Sequence, residues 1–306
     1  MSKGHLLIIS ERSEDLDFGK KVAQLLGASF DQVTNVDALR RILVTHKNAV
    51  IFWNTENQFF FETFHQVIPR YLPAHRIFSI ADGPVSQYVH LAKYPVFAHH
   101  LLRRFADPAP VICSNLARVA LGEEMFGLEN YFPKDATLQK IKIARSTQKT
   151  AAVEAIQKHL TKQAVLTRMA ALIAQSVDEL IMNAMFDAPI EGKERLNHGH
   201  PRDIILELNE KQAVEVTFAA CEEYMGISVV DQFGSPHKNN LIHALFSGPK
   251  SGLHAIYETG LSLLFVIKPQ MRTEVILIFP RSESYKEFRS GFRCLSLVES
   301  KEGVTV

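Results

Sequence analysis

The first part of the chain alternates short apolar runs with segments of helical period. The apolar runs predict five strands, at residues 5–10, 30–34, 49–53, 76–80 and 95–99. Apolar positions at helical spacing predict five intervening helices, at residues 16–26, 36–43, 59–71, 85–92 and 110–121. Five repeats of strand then helix predict a parallel sheet covered on both faces.

The second part of the chain predicts a different order of strands and helices. The pattern predicts strands at residues 138–144, 204–208, 213–219, 226–230 and 271–279. It predicts helices at residues 151–160 and 164–186, and a further helix that opens at 258–264. The mixed segment between the halves contains Gly122, Gly127 and Pro133 and has no sustained period. We therefore predict domains at 1–121 and 138–280, a linker at 122–137 and a tail at 281–306.

Composition narrows the class of protein. The chain has 306 residues, enough for about two domains, with 46% hydrophobic and 22% charged residues. A net charge of +1 gives no general attraction to nucleic acid or to an acidic membrane. Three separated cysteines form no CxxC pair, which argues against a disulfide framework or a zinc site. With no export signal or long apolar run evident, we expect a cytoplasmic protein.

One helical segment, residues 177–187, carries candidate chemistry. Glu179 and Asn183 lie four residues apart, so both side chains share one helix face, one turn apart. Such a pair can hold a metal ion and steer a water or hydroxyl beside it. The alternative is an ordinary amphipathic helix with a polar face.

Further along, polar residues and glycines follow in a defined order. Asp231 follows the predicted strand 226–230, Gly234 comes next, Gly260 opens the predicted helix, and Thr273 lies near the start of the last predicted strand. The polar segment 236–259 between them contains Lys238 and Lys250. Lysines in such a loop either reach a bound phosphate or are merely solvated.

Residues 138–280 resemble the GHKL ATP-binding domain of histidine kinases, the 90-kDa heat-shock protein, type II topoisomerases and DNA-mismatch proteins. The order of elements looks closest to anti-sigma-factor serine kinases. The resemblance implies that Asn183 coordinates Mg²⁺ and that Glu179 orients or deprotonates the nucleophile. It implies an ATP site that includes the residues Asn183, Asp187, Asp231, Gly234, Lys250, Gly260 and Thr273. The family has a histidine where this chain has Asp187, and glycines where it has Phe233, Ser235 and Ser262.

The first half resembles a receiver domain of the flavodoxin-like class in order and length. The chemistry departs from that family, whose third strand ends in aspartate and whose fifth is followed by lysine. Here the third strand ends in Trp53 and Asn54, and the fifth is predicted to end in His99 and His100. We therefore predict a pseudo-receiver that serves as a docking or dimerisation module. Another small α/β domain is the alternative.

The fold expected is thus an α/β receiver-like domain followed by an α+β GHKL domain. The function expected is an ATP-dependent and Mg²⁺-dependent regulatory module that binds a signalling partner protein. The alternative is a serine/threonine protein kinase of the anti-sigma-factor type. We interpret the adjacent His99 and His100 as surface histidines or as core histidines with hydrogen-bond partners. We interpret the run Phe59–Phe61 as part of the core.

Overall fold

The computed structural model describes residues 4–83, 98–122, 124–191, 194–197, 200–201, 204–247, 251–282 and 284–299. The chain divides into two compact units. The first comprises Met1–Met125 and Phe292–Val298, and the second Phe126–Gly291 and Glu299–Val306. The protein is a mixed α/β protein, and each unit contains its own arrangement of strands and helices.

The first unit is built on parallel strands. Its strands are β1 (His5–Ile9), β2 (Ser29–Gln32), β3 (Ala49–Asn54), β4 (Ile77–Ala81) and β5 (His99–Leu102). They lie in the order β2-β1-β3-β4-β5 and all pair in parallel. This is the strand order of flavodoxin-like proteins, and the prediction of a parallel α/β sheet is confirmed.

Helices cover both faces of these strands because the strands are apolar on both faces. The helices are α1 (Ser13–Leu26), α2 (Val36–Thr45), α3 (Gln58–Phe64) and α4 (Ala109–Gly122). On one face α2 and α3 pack on Ile51 and Trp53, and on the other Phe18 of α1 contacts Phe52 edge to face. The predicted helix 59–71 is shorter than expected, with a separate turn at Ile68–Arg70. The predicted helix 85–92 lies outside the described residues.

The fifth strand ends later in the chain than predicted, and residues 95–97 of the predicted strand lie outside the described residues. It continues through His99 and His100 to Leu102, so Arg103 is the residue that follows it. Both histidines are buried, and each has a hydrogen-bond partner at Nδ1: the Ser296 hydroxyl lies 2.7 Å from His99, and the Ser79 hydroxyl lies 2.8 Å from His100. The polar pair suggested a strand end, but buried hydrogen-bond partners allow it inside the sheet.

The C-terminal part of the chain also contributes to this sheet. Strand β13 (Cys294–Glu299) pairs antiparallel with β5, with Leu295 opposite His100. The helix α9 (Tyr285–Ser290) precedes it. Residues 285–290 and 294–299 of the predicted tail therefore form a helix and a strand. The predicted domain boundaries stay a prediction.

The second unit is built on antiparallel strands. They are β6 (Thr137–Ile143), β9 (Val214–Ala220), β10 (Tyr224–Asp231), β11 (Ser262–Lys268) and β12 (Arg272–Pro280), in the order β11-β12-β10-β9-β6. The helices α5 (Gln148–Lys162) and α6 (Thr167–Met182) contact each other, and Lys149 of α5 forms an ion pair with Asp178 of α6. A short hairpin, β7 (Ile190–Glu191) and β8 (Glu194–Arg195), follows α6. The helices α7 (Lys238–Ile242) and α8 (Gly252–Glu258) lie between β10 and β11.

Two predicted elements of this unit are wrong. Residues 258–264 open no helix, because 262–268 form the buried strand β11 and the helix α8 ends before them. A short continuous apolar run does not distinguish a buried strand from a helix. Residues 204–208 form only a bridge, between Glu207 and Arg145, and Ile205 is 72% exposed.

The segment 126–132 packs on the sheet of the second unit. The Gly127 N–H donates to the buried Glu274 carboxylate at 2.7 Å, and the Tyr224 hydroxyl donates to the Tyr131 carbonyl at 2.6 Å. A Cβ on Gly226 would lie 2.8 Å from the Phe132 ring, so this position has no room for a side chain. The predicted linker is thus partly an ordered covering of the sheet.

One stretch of the described chain, Thr167–Asp187, is long and apolar enough to cross a membrane by length and composition. About two thirds of it (67%) is buried within the protein, as in the core helix of a globular unit.

Candidate functional site

A cavity of about 460 Å³ lies within the second unit. Five of the predicted site residues line it together: Glu179, Asn183, Asp187, Asp231 and Thr273. They come from distant parts of the chain, so the fold brings the predicted residues to one place. Apolar side chains complete its walls, among them Leu180, Val229, Leu241, Phe265 and Val275.

One wall of the cavity is the C-terminal end of α6. Glu179 belongs to the last turn of α6, while Asn183 and Asp187 belong to a wider turn, Asn183–Asp187, that follows it. In this turn the Ala188 N–H donates to the Asn183 carbonyl at 2.9 Å, five residues back. Such wide turns inside helices are frequent at functional sites. Here the turn places Asp187 on the same cavity as Asn183.

Another wall is formed by two neighbouring strands. Asp231 at the end of β10 lies directly across from Thr273 of β12. The Phe233 and Gly234 N–H groups both donate to Asp231 Oδ1, at 2.8 and 3.3 Å. Oδ2 is therefore left for the Thr273 hydroxyl or for a ligand.

The carboxyl group of Asp231 is held in an unusual environment. Burial is the main cause that raises its pKa, to about 6, although the Phe233 N–H, the Thr273 hydroxyl and the Gly234 N–H act in the opposite direction. The Thr273 hydroxyl is itself buried and makes no well-formed hydrogen bond among the described residues. A polar group without a full partner in a cavity wall is costly unless a ligand satisfies it.

The cavity is closed on another side by the start of α8. Ser251 caps this helix, accepting a hydrogen bond from the His254 N–H at 3.1 Å, and donates to the Ala244 carbonyl at 2.6 Å. Gly252 follows, and a Cβ built on it would overlap the carboxyl group of Glu179. Glycine at this position lets the helix approach Glu179 directly.

The glycine that begins a helix at the cavity is thus Gly252 and not the predicted Gly260. Gly260 lies between α8 and β11, with a φ of 97°, and is not among the residues that line the cavity. Sequence reasoning missed Ser251 and Gly252, although a serine before a helical run is a recognisable N-cap signal.

The other predicted residues have different positions. Gly234 has a φ of 59°, and a Cβ there would overlap the Lys268 carbonyl. Glycine at this position therefore allows the turn between β11 and β12 to pack directly against the backbone of residue 234. The Phe233 ring, 6% exposed, lies 5.4 Å from the Lys211 ammonium and is not a lining residue of the cavity. Lys250 lies outside the described residues.

The charge of the cavity constrains its ligand. Among the described residues that line it, three are acids, Glu179, Asp187 and Asp231, and none is lysine or arginine. An anionic ligand in such a site needs a cation to offset repulsion from these carboxylates.

Comparisons with known proteins give only a distant similarity. No protein-family model and no curated protein matches the chain. Among solved structures, the chain is similar to a chain in the crystal structure of the SiaB–SiaC complex from Pseudomonas aeruginosa. The match has 13% identity and a TM-score of 0.29, and covers 46% of this chain and 88% of that chain. Identity and TM-score at this level are too low to assign a function.

We predict that Gly252→Ala destabilises the second unit, because the new methyl group collides with Glu179. The expected loss is about 1–3 kcal/mol in the free energy of unfolding, as for other overpacked sites. Urea unfolding followed by circular dichroism measures it.

Two comparisons make this test specific. Gly122→Ala, at a helical glycine with no atom within 4 Å of the added Cβ, should be neutral or slightly stabilising. Adding Glu179→Ala to Gly252→Ala should recover most of the loss, because the colliding carboxyl is gone. Additive effects of the two substitutions would contradict the contact.

We also predict a pH-dependent contribution of Asp231 to stability. Because its pKa is about 6 in the folded protein and about 4 when exposed, ionisation favours the unfolded state. The free energy of unfolding of the wild type relative to Asp231→Asn should therefore fall by up to about 3 kcal/mol between about pH 4 and pH 7. Urea titrations at a series of pH values check this, and a constant difference would count against it.

Proposed function

We propose that the second unit binds an adenine nucleotide with Mg²⁺ in this cavity, and that the protein is a nucleotide-dependent regulatory module. The observation that carries the proposal is the position of Asp231 opposite Thr273 in one wall, with Glu179 and Asn183 on another wall of the same cavity. We also propose that this unit is an ATP-binding domain of the GHKL type, as the resemblance of residues 138–280 implies.

The residues present fit the base end of such a ligand. Among the described residues, backbone N–H groups donate to Asp231 Oδ1 and none to Oδ2, and the buried Thr273 hydroxyl makes no well-formed hydrogen bond. These groups can accept a hydrogen bond from an amino group and donate to a ring nitrogen. The apolar walls of Val229, Phe265 and Val275 suit a flat heterocycle.

The residues at the other end make the cation important. Asn183 would hold Mg²⁺ through its amide oxygen, and Asp187 is near enough on the same turn to assist. No cluster of three or more histidine, cysteine or acidic residues among the described positions is arranged as a metal site by itself. The phosphates of the nucleotide would therefore complete the coordination, and Mg²⁺ would neutralise charge that the acidic cavity cannot.

The test is a calorimetric titration with ATP, ADP and adenosine, each with Mg²⁺ and with a chelator. We expect ATP binding to weaken at least about tenfold without Mg²⁺, because of charge repulsion, while adenosine binding is unchanged. Asn183→Ala should remove the Mg²⁺ dependence and leave adenosine binding intact. Absence of binding by all three ligands at millimolar concentration would refute the proposal.

The first unit enters the proposal as a receiver-like docking module in a cytoplasmic signalling protein. Its parallel fold with an asparagine at the end of β3 fits a unit that acts by binding a protein partner rather than by accepting a phosphoryl group. An amide lacks the nucleophilic carboxylate that an acyl phosphate requires.

The second candidate function is a serine/threonine protein kinase, favoured by the position of Glu179 on the same cavity as Asn183. In this case Glu179 acts as the base toward a hydroxyl of a partner protein. Glu179→Ala should then abolish phosphoryl transfer and leave ATP binding within about twofold, since a base acts only in the chemical step. Radiolabelled transfer to co-purified proteins measures this. Equal labelling by wild type and variant would exclude the role of Glu179.

A further inference from the structure

The carboxyl ends of the parallel strands in the first unit hold a cluster of charges that the proposed function does not use. Arg103, directly after β5, has a side chain that is only 2% exposed. Acidic residues from three other parts of the unit converge on it: Asp15 of α1, Glu56 after β3 and Asp82 after β4. The exposed Glu14 of α1 lies farther out, 3.6 Å from the Arg103 Nε.

The geometry around Arg103 is that of a full set of ligands for one cation. Its Nε donates to Asp15 Oδ1 at 2.7 Å, and its Nη2 lies 3.4 Å from Asp15 Oδ2. Its Nη1 donates to Glu56 Oε2 at 2.8 Å and also to Asp82 Oδ1. A single guanidinium thus joins three carboxylates, a task for which its fixed fork of donors is suited.

The acids are themselves positioned. Asp15 is fully buried and accepts a hydrogen bond from the Ser10 hydroxyl at 2.6 Å. The Asp82 N–H donates to Glu56 Oε1 at 2.8 Å. Arg12, 42% exposed, contacts the outer side of the cluster, at 2.8 Å from Asp82 and 3.2 Å from Glu56.

Burial makes Arg103 indispensable to these acids. Without it, the wholly buried carboxylate of Asp15 would have lost its counter-ion, which is strongly unfavourable. The Arg103 and Arg12 contacts lower the pKa of Asp82 in spite of its partial burial, and the acids raise the pKa of Arg103.

We infer that this edge of the first unit is a cation-binding site whose cation is supplied by the chain itself, as the guanidinium of Arg103. The carboxyl edge of a parallel α/β sheet is where such folds bind external ligands. Here the site is filled from within, so the wild-type unit has no need of a divalent ion at this edge. The unit is then fixed in one state whatever the concentration of Mg²⁺.

The experiment removes the internal cation and offers external ones. Full-length wild type, Arg103→Ala and the control Arg12→Ala are unfolded by heat, with and without millimolar Mn²⁺, Mg²⁺ or guanidinium chloride. Trp53, the single tryptophan, is buried in β3 of this unit and reports its unfolding. Removing a buried partner should lower the midpoint for Arg103→Ala by roughly 10 °C. Arg12→Ala, at an exposed position, should change it by only a degree or two, about the effect of a surface pair.

External cations should then raise the unfolding midpoint of Arg103→Ala only. Guanidinium or Mn²⁺ should restore at least half of the loss in Arg103→Ala and leave wild type and Arg12→Ala unchanged. The inference is overturned if no cation restores stability, if Arg103→Ala behaves as Arg12→Ala does, or if wild type gains as much as the variant.

A second measurement needs no Arg103 variant, in case that protein does not fold. Electron paramagnetic resonance of free Mn²⁺ counts ions bound by nucleotide-free wild type and by Asp82→Asn. Equal binding by the two proteins is expected, because the guanidinium occupies the site. Mn²⁺ bound by wild type and lost in Asp82→Asn would show an open metal site and overturn the inference.

Discussion

The register between β10 and β12 is the constraint on which the second unit depends. It places Asp231 opposite Thr273 and Val230 opposite Glu274. Since alternate residues of a strand point to opposite faces, Thr273 lines the cavity while its neighbour Glu274 binds the Gly127 N–H elsewhere. A slip by one residue would exchange the two faces. The cavity wall and the attachment of the segment 126–132 are therefore set by the same pairing.

Buried charge is treated differently in the two units. In the second unit Asp231 and Glu274 receive backbone N–H groups, and burial still raises the pKa of each carboxyl. In the first unit the buried acid Asp15 receives a guanidinium from Arg103. A buried acid that receives only backbone N–H groups is still stabilised by any further donor or cation that enters its surroundings. An acid that already has a full counter-ion gains little from one. The contrast agrees with the two proposals, a cavity that binds its ligand reversibly and an edge whose cation belongs to the chain.

Much of the architecture was predictable from periodicity, because long apolar runs and helical stripes specify buried strands and amphipathic helices. The parallel strands of the first unit follow from such patterns, whereas a common site for Glu179, Asn183, Asp231 and Thr273 was expected only from the resemblance of their order along the chain to a known family. Periodicity could not place β5, since buried histidines look polar, nor could it separate β11 from a helix. Contacts between distant residues, such as Gly252 with Glu179 or Arg103 with Asp15, leave no local signal. They depend on tertiary packing alone.

The return of β13 to the first unit has a consequence for synthesis. Cys294 to Ser296 pair with β5, yet they are translated only after Phe126–Gly291, the main segment of the second unit. Until then β5 presents unpaired backbone groups along one side, and the Nδ1 atom of His99 lacks the Ser296 hydroxyl. An unpaired strand edge is prone to wrong association. The sheet of the nascent first unit is therefore incomplete at β5 until β13 has been translated.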